Sequence, residues 1–277
     1  MLTKPDIKMI VSDLDGTLLD GKSMMTGYTR DTLREAQKAG IVFAACTGRF
    51  PENAAMVMAE AGIVCPIISL NGSCVELAPL QDRIYEKTLS KESALTVFET
   101  LERLGEGYFI FAPGAVLSRY EGNSHHSELD IRKNAYQSAA VHFSYGLKAC
   151  QDALEGPVHK FYIYLTNKSK PTEMIRAALG GIQGASLTRS SNSNLEVVSN
   201  EADKGTGTLI LAERLNIKPQ NIMALGDQLN DLPMLQCAGL KVAMGNAEEP
   251  LKRIADYIAP DNTQDGAAKA IRKFCLP

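Results

Sequence analysis

The sequence predicts an α/β protein, an open parallel sheet with helical crossovers that is interrupted by a second, α+β domain. Two observations predict it. Over the first ninety residues, short apolar runs that end in Gly, Asp or Asn alternate with helical patterns, and the same alternation returns near the end of the chain. Strands joined by helical crossovers form parallel sheets. Between these stretches, residues 83–187 mix strands and helices without that alternation. The expected division is a core of residues 1–82 and 188–277, with residues 83–187 inserted into it.

Residues 7–12 form an apolar run that leads into acidic residues and Gly16, a buried strand feeding a loop. Residues 29–39 carry Leu33, Ala36 and Ala39 and stop at Gly40, a helix with a glycine terminator. Residues 41–46 are a second strand, followed by Thr47-Gly48-Arg49. Residues 52–61 read as a helix and 66–70 as a third strand, followed by Asn71-Gly72. In the insertion, 93–104 and 171–179 are helical, 115–119 and 160–166 are strands, and 121–127 form a polar loop. The core resumes with a helix at 204–215, a strand at 222–225, a helix at 231–238, a strand at 240–244 and a closing helix at 264–274.

Composition narrows the function. A length of 277 residues suits two domains with ample core. Hydrophobic residues make up 45% and charged residues 22%, as in an ordinary globular protein. A net charge of -3 provides no basic field for nucleic acid or an anionic membrane. Aromatics are 6% and Trp is absent, which argues against a stacking platform for single strands. The six cysteines form no C-x-x-C pair and several sit in apolar runs, so reduced, mostly buried thiols are expected. No signal-peptide pattern opens the chain, and the apolar stretch 54–70 is broken by Glu60, Gly62 and Pro66. A cytoplasmic protein without a membrane span is expected, as a monomer or homodimer.

Four features follow predicted strands or open a late helix, where binding sites of open parallel sheets collect. The first is Asp13-Leu14-Asp15-Gly16-Thr17. Alternate residues of an extended chain share a face, so Asp13 and Asp15 can enter one pocket while Leu14 points to the core. Two close carboxylates need a cation or proton between them. One can serve as nucleophile and the other as proton carrier. The second is Thr47-Gly48-Arg49, where a hydroxyl and an exposed amide suit a phosphate oxygen; Asn71-Gly72 is similar. The third is Lys204, which begins a helix after Asp203. The fourth is Gly226-Asp227-Gln228-Leu229-Asn230-Asp231, whose hard oxygen donors suit Mg²⁺.

Taken in order, these motifs resemble the haloacid dehalogenase-like superfamily. The tail, Val242-Ala243-Met244-Gly245-Asn246-Ala247 and then Ala259-Pro260-Asp261-Asn262-Thr263-Gln264-Asp265-Gly266, resembles its Cof-type sugar-phosphatase branch. The resemblance implies a Rossmann-like core with a large α/β cap inserted after the third core strand. It implies that Asp13 attacks phosphorus and forms an aspartyl-phosphate, while Asp15 protonates the leaving oxygen and then activates water. Thr47, with Gly48, Arg49 and Asn71, would bind the phosphoryl group, and Lys204 would neutralise its charge. Asp13, the Asp15 backbone carbonyl and Asp227 would ligate Mg²⁺, with Asp231 acting through water. Asn230 would support the site and Asn262 would lie near the substrate phosphate. Many relatives carry other residues at Gln228 and Leu229, positions expected outside the ligand set.

The activity so implied is a Mg²⁺-dependent phosphatase of small phosphorylated metabolites, with substrate choice made by the cap. Its polar residues His125, His126, Lys160, Asn192 and Asn194 are the candidates for that choice. A phosphosugar mutase with the same aspartyl-phosphate chemistry is the alternative, and a non-catalytic metabolite binder is a third reading.

Overall fold

The computed structural model describes residues 5–119, 141–165, 172–191 and 193–277. The chain divides into two compact units, Met1–Glu86 with Asp203–Pro277, and Lys87–Ala202.

In the first unit β1 (Met9–Ser12) pairs in parallel with β2 (Val42–Cys46), and β2 with β3 (Ile67–Ser69). The crossovers are α1 (Gly27–Lys38) and α2 (Pro51–Glu60). Thr26 caps α1 by accepting a hydrogen bond from Thr29 N. Every residue of β1 is buried, as a strand covered on both faces by helices requires. β4 (Cys74–Glu76) and β5 (Arg83–Glu86) then turn back antiparallel along the sheet edge.

The second unit holds α3 (Lys91–Leu104), β6 (Tyr108–Ala112), β7 (Ala115–Ser118), β8 (His142–Tyr145), α4 (Leu147–Ala153), β9 (Lys160–Tyr164), α5 (Thr172–Leu179), β10 (Ala185–Thr188) and β11 (Asn194–Ser199). Its sheet runs β10-β11-β9-β6-β7-β8 and is antiparallel except where β7 and β8 pair. Alternate residues Phe161, Ile163, Leu195 and Val197 meet Val97, Leu101 and Ile175 of the helices in a separate core. Ser90 caps α3, and Gly105 ends it with a left-handed φ of 65°.

The first unit resumes with α6 (Lys204–Arg214), β12 (Ile222–Gly226), α7 (Leu232–Cys237), β13 (Leu240–Ala243), α8 (Glu249–Ile254), β14 (Tyr257–Ile258) and α9 (Gly266–Cys275). The complete sheet order is β14-β13-β12-β1-β2-β3-β4-β5, with the strands from β14 to β3 parallel. Gly72 sets how closely α6 approaches the turn after β3. It has a φ of +90°, and a Cβ there would stand 1.9 Å from the Asp203 carbonyl.

The boundaries differ from expectation. β5, within the stretch expected to be inserted, completes the core sheet, and residues 188–202, expected in the core, hold β11 of the second sheet. Both are short strands whose partners are antiparallel neighbours, a pairing that local apolar pattern does not reveal. Among the described residues the cysteines are free thiols, with Cys46, Cys65, Cys74 and Cys150 buried. No described helix is long and apolar enough to cross a membrane.

Candidate active site

β1 and β12 lie side by side in the first sheet. From β1 the chain order proceeds through β2 and β3 in one direction, and from β12 through β13 and β14 in the other. The order therefore reverses between them, and open α/β sheets bind ligands at that switch point, beyond the carboxyl ends of the strands. Asp13 follows β1 directly and Asp227 follows β12 directly. Asp13 N donates to the Leu225 carbonyl at 3.0 Å, which fixes the two strand ends together.

Lys204, the first residue of α6, reaches into this junction. Its Nζ donates to Asp13 Oδ1 at 2.7 Å and to Asp231 Oδ1 at 2.6 Å. The Lys204 side chain is wholly buried, as is that of Asp231. Asp203 caps the same helix by accepting from Thr206 N at 2.7 Å, so the cap sets the direction in which Lys204 leaves the backbone. Asp231 Oδ2 accepts from the backbone amides of Asp227 (2.8 Å) and Gln228 (3.0 Å). Both of its oxygens are thus engaged. Asp227 Oδ1 accepts from Thr17 Oγ1 at 2.7 Å. Gly16, with φ at +81°, lets this loop close over Asp227: a Cβ would stand 2.4 Å from Asp227 Oδ2.

Carboxylate oxygens of Asp13, Asp227 and Asp231 lie within 4.8 Å of one another. Three buried carboxylates around one ammonium carry excess negative charge. Burial pushes Asp13 well above the usual carboxylate range; Lys204 opposes that shift, and Asp231 and Asp227 add to it. Burial, then Asp231, pushes Asp227 up to about 7, against the hydrogen bond from Thr17. Burial alone would lower Lys204, yet the adjacent Asp13 and Asp231 hold its ammonium more firmly charged than an ordinary lysine. Hard oxygen donors with uncompensated charge fit a divalent cation. All three carboxylates already accept hydrogen bonds: Asp231 from Lys204 and two amides, Asp13 from Lys204, and Asp227 from Thr17 and Gln228.

A pH dependence follows. The folded state holds a proton on Asp227 to higher pH than the unfolded chain does. Stability is therefore lost as pH rises from about 4 toward 7 and beyond. Without divalent cation at pH 8, Asp227→Asn is expected to melt about 2–4 °C above wild type, equivalent to roughly 1 kcal/mol. The gap is expected to narrow toward pH 5 and to close only near pH 4. Thermal melts across that range check this, and a variant that melts lower than wild type at pH 8 would refute it.

Around the cluster stand the other expected residues. Thr47 follows β2; its amide donates to the Ile68 carbonyl and its Oγ1 accepts from Arg49 N at 3.2 Å. Gly48 lies between them. The Arg49 guanidinium, expected on phosphate, forks instead onto Asp15, with Nε to Oδ2 at 2.7 Å and Nη2 to Oδ1 at 2.6 Å. Asn53 and Ser23 accept from the same guanidinium. Asn71, at φ 58°, accepts through Oδ1 from Asn230 Nδ2 at 3.1 Å. Asn262 is tied to backbone: its Nδ2 donates to the Leu19 carbonyl at 2.8 Å and its amide to Asn246 Oδ1 at 3.1 Å. Asn246 Nδ2 in turn donates to the Gly16 carbonyl at 2.8 Å. Thr17 and Asn246 are site residues that sequence reasoning missed. The signals were present, since Thr17 closes the Asp13 motif and Asn246 follows β13.

In the second unit Lys160 is paired with a buried carboxylate. Its Nζ donates to Glu196 Oε2 at 2.7 Å, with both side chains buried, and lies 4.6 Å over the Phe111 ring. Asn194 Oδ1 gathers the amides of Ser190 and Ser191, and its Nδ2 donates to Glu196 Oε1, so it organises the turn before β11. His125, His126 and Asn192 lie outside the described residues.

The sequence profile of the haloacid dehalogenase-like hydrolases matches residues 10–271. Phosphatase YwpJ of Bacillus subtilis (strain 168) is 30% identical over 285 residues, spanning 96% of this chain and 99% of that protein. The 5-amino-6-(5-phospho-D-ribitylamino)uracil phosphatase YcsE of the same organism is 28% identical, over 98% of this chain and 97% of its own. A solved haloacid dehalogenase-like hydrolase from B. subtilis superposes with a TM-score of 0.85 at 29% identity, covering 96% of this chain and 99% of that one. With a switch-point acid cluster, a buried lysine and a match over nearly its whole length, the chain belongs to the haloacid dehalogenase-like hydrolases, in their Cof-type phosphatase branch.

Proposed function

We propose that the protein is a Mg²⁺-dependent phosphatase that hydrolyses small phosphorylated metabolites, sugar phosphates or similar, through an aspartyl-phosphate on Asp13. The observation that carries this reading is the buried cluster of Asp13, Asp227 and Asp231 around Lys204 at the switch point.

In the first step an Asp13 carboxylate oxygen forms a bond to phosphorus as the bond to the substrate oxygen breaks. Asp15 gives its proton to that leaving oxygen. In the second step Asp15 takes a proton from water as the water oxygen bonds to phosphorus. The Asp13–phosphorus bond breaks and inorganic phosphate leaves. Both Asp15 oxygens accept from Arg49 in this structure, so proton delivery requires Asp15 to leave that fork. Lys204 fixes Asp13 and offsets charge that builds on the phosphoryl oxygens, while the Thr47 hydroxyl offers them a hydrogen bond. Asp13 and Asp227 would hold Mg²⁺ directly, with the Asp15 carbonyl, and Asp231 through water. The bound cation supplies charge neutralisation for the phosphoryl group.

The test is phosphate release from a panel of sugar phosphates together with 5-amino-6-(5-phospho-D-ribitylamino)uracil, the compound that a relative's name carries. Release is expected with Mg²⁺ and is expected to stop with EDTA. If no member releases phosphate, and a sugar monophosphate is isomerised when a sugar bisphosphate is added, the protein is a mutase instead.

A further inference from the structure

The loop after β1 is braced by two asparagines from the far side of β12. Within the loop, the amides of Thr17, Leu18 and Leu19 all turn back to the Leu14 carbonyl, at 3.3, 3.0 and 2.8 Å. Two of its other carbonyls are taken by side chains. Asn246 Nδ2 donates to Gly16 and Asn262 Nδ2 donates to Leu19, both at 2.8 Å. The asparagines are themselves joined, since the Asn262 amide donates to Asn246 Oδ1 at 3.1 Å. The sheet order makes this a long reach. Asn246 follows β13 and Asn262 follows β14, which stand two and three strands from β1. At about 4.8 Å per strand, that is about 10 and 14 Å across the end of β12.

The loop after β13 also holds Asp227, because Glu248 N donates to the Asp227 carbonyl at 2.9 Å. One loop therefore grips both sides of the switch point: Asp227 through Glu248 N, and the β1 loop through Asn246. Asp15 directly precedes Gly16 and forms a single parallel bridge with Leu19. The two carbonyls that the asparagines take thus belong to the residues that fix where Asp15 stands. Asn246 is exposed. An exposed amide on a backbone carbonyl adds little stability, because water is nearly as good a partner; what it adds is direction. We propose that Asn246 and Asn262 are positioning residues for Asp15, holding residues 16–19 so that its carboxyl meets the leaving oxygen. This rests on the phosphatase reading above and gives Asn262, expected beside the substrate phosphate, a different task. Misplacing a reacting group by about 1 Å costs on the order of 100-fold. The cost falls where a proton is needed: a sugar alkoxide leaves poorly without one, whereas p-nitrophenolate leaves unaided.

The experiment compares steady-state kinetics of the full chain on two esters with Mg²⁺ present. One is the sugar phosphate of the panel that wild type hydrolyses fastest, and the other is p-nitrophenyl phosphate. In Asn246→Ala, kcat on the sugar phosphate is expected to fall about 10- to 100-fold. KM is expected to change little, and kcat on p-nitrophenyl phosphate is expected to fall much less. The variant is expected to melt within about 5 °C of wild type. Asn246→Asp keeps the acceptor for the Asn262 amide but has no N–H to give Gly16, so it is expected to match Asn246→Ala. Asn262→Ala is expected to show the same contrast between esters. Equal losses on the two esters would mean a generally distorted site, and an unchanged kcat would mean no role. Wild-type turnover in Asn246→Asp would mean that the bond to Gly16 is idle; each of these overturns the inference alone. If Asn246→Ala does not fold, the contrast between esters in Asn262→Ala decides. A wild type that hydrolyses no sugar phosphate overturns the phosphatase reading and this inference with it.

Discussion

Lys204→Met is expected to cost the protein its turnover and a large part of its stability. The ammonium is wholly buried and sits between Asp13 and Asp231. Removing one partner of a buried pair leaves uncompensated charge, typically at a cost of about 3–5 kcal/mol. In a chain of this size that corresponds to a melting point lower by about 6–20 °C. The loss has a pH signature. Burial already pushes Asp13 and Asp227 up, and Lys204 is the group that restrains both. Without it the folded state holds its protons to still higher pH, so stability falls as pH rises through that window. The deficit against wild type is therefore expected to be largest at pH 8 and to shrink toward pH 5. Turnover is expected to fall at least about 10³-fold, the scale for losing a preorganised charge at a reacting centre. Melts at several pH values and phosphate release measure the two effects. A variant as stable as wild type at pH 8 would show that the cluster is not held together by this lysine.

Asp13→Asn separates chemistry from folding. Asparagine keeps the shape and removes both the charge and the nucleophilic oxygen. Because burial disfavours the charged form of Asp13, the exchange removes a penalty along with one partner of Lys204, and Asp231 remains to hold the ammonium. The melting point without cation is expected to stay within a few degrees of wild type. Turnover is expected to drop about 10⁴-fold or more, the scale for losing a covalent nucleophile. Rapidly quenched wild type mixed with substrate is expected to gain the mass of one phosphoryl group, and the variant none. Appreciable residual turnover in a properly folded Asp13→Asn protein would rule out the aspartyl-phosphate route.

Much of this was legible in the sequence because it depends on local order. An apolar run ending in Asp13-Leu14-Asp15-Gly16-Thr17 specifies a buried strand with acids at its tip, whatever packs around it. The runs before Thr47, Asn71 and Asp227 do the same, and a parallel sheet follows from strands separated by helices. Lys204 and Asp231 were identified by type and position, and the structure places both on the same buried cluster as Asp13.

Only the tertiary structure decided which side chains meet. Asp13 and Lys204 are separated by 191 positions, and Thr17 and Asp227 by 210. Pairing at such separations depends on strand order, a property of the whole sheet. The same holds for Arg49, whose fork matches a carboxylate as well as a phosphate, so that only the position of Asp15 directs it there. Lys160 opens a strand as expected, but its partner Glu196 arrives from β11, a strand the local pattern did not reveal. The sequence by itself determined the chemical types at the strand ends, because periodicity and turn residues act over a few positions. The sheet order determined their contacts, because burial forces each buried charge to find a partner wherever the chain brings one.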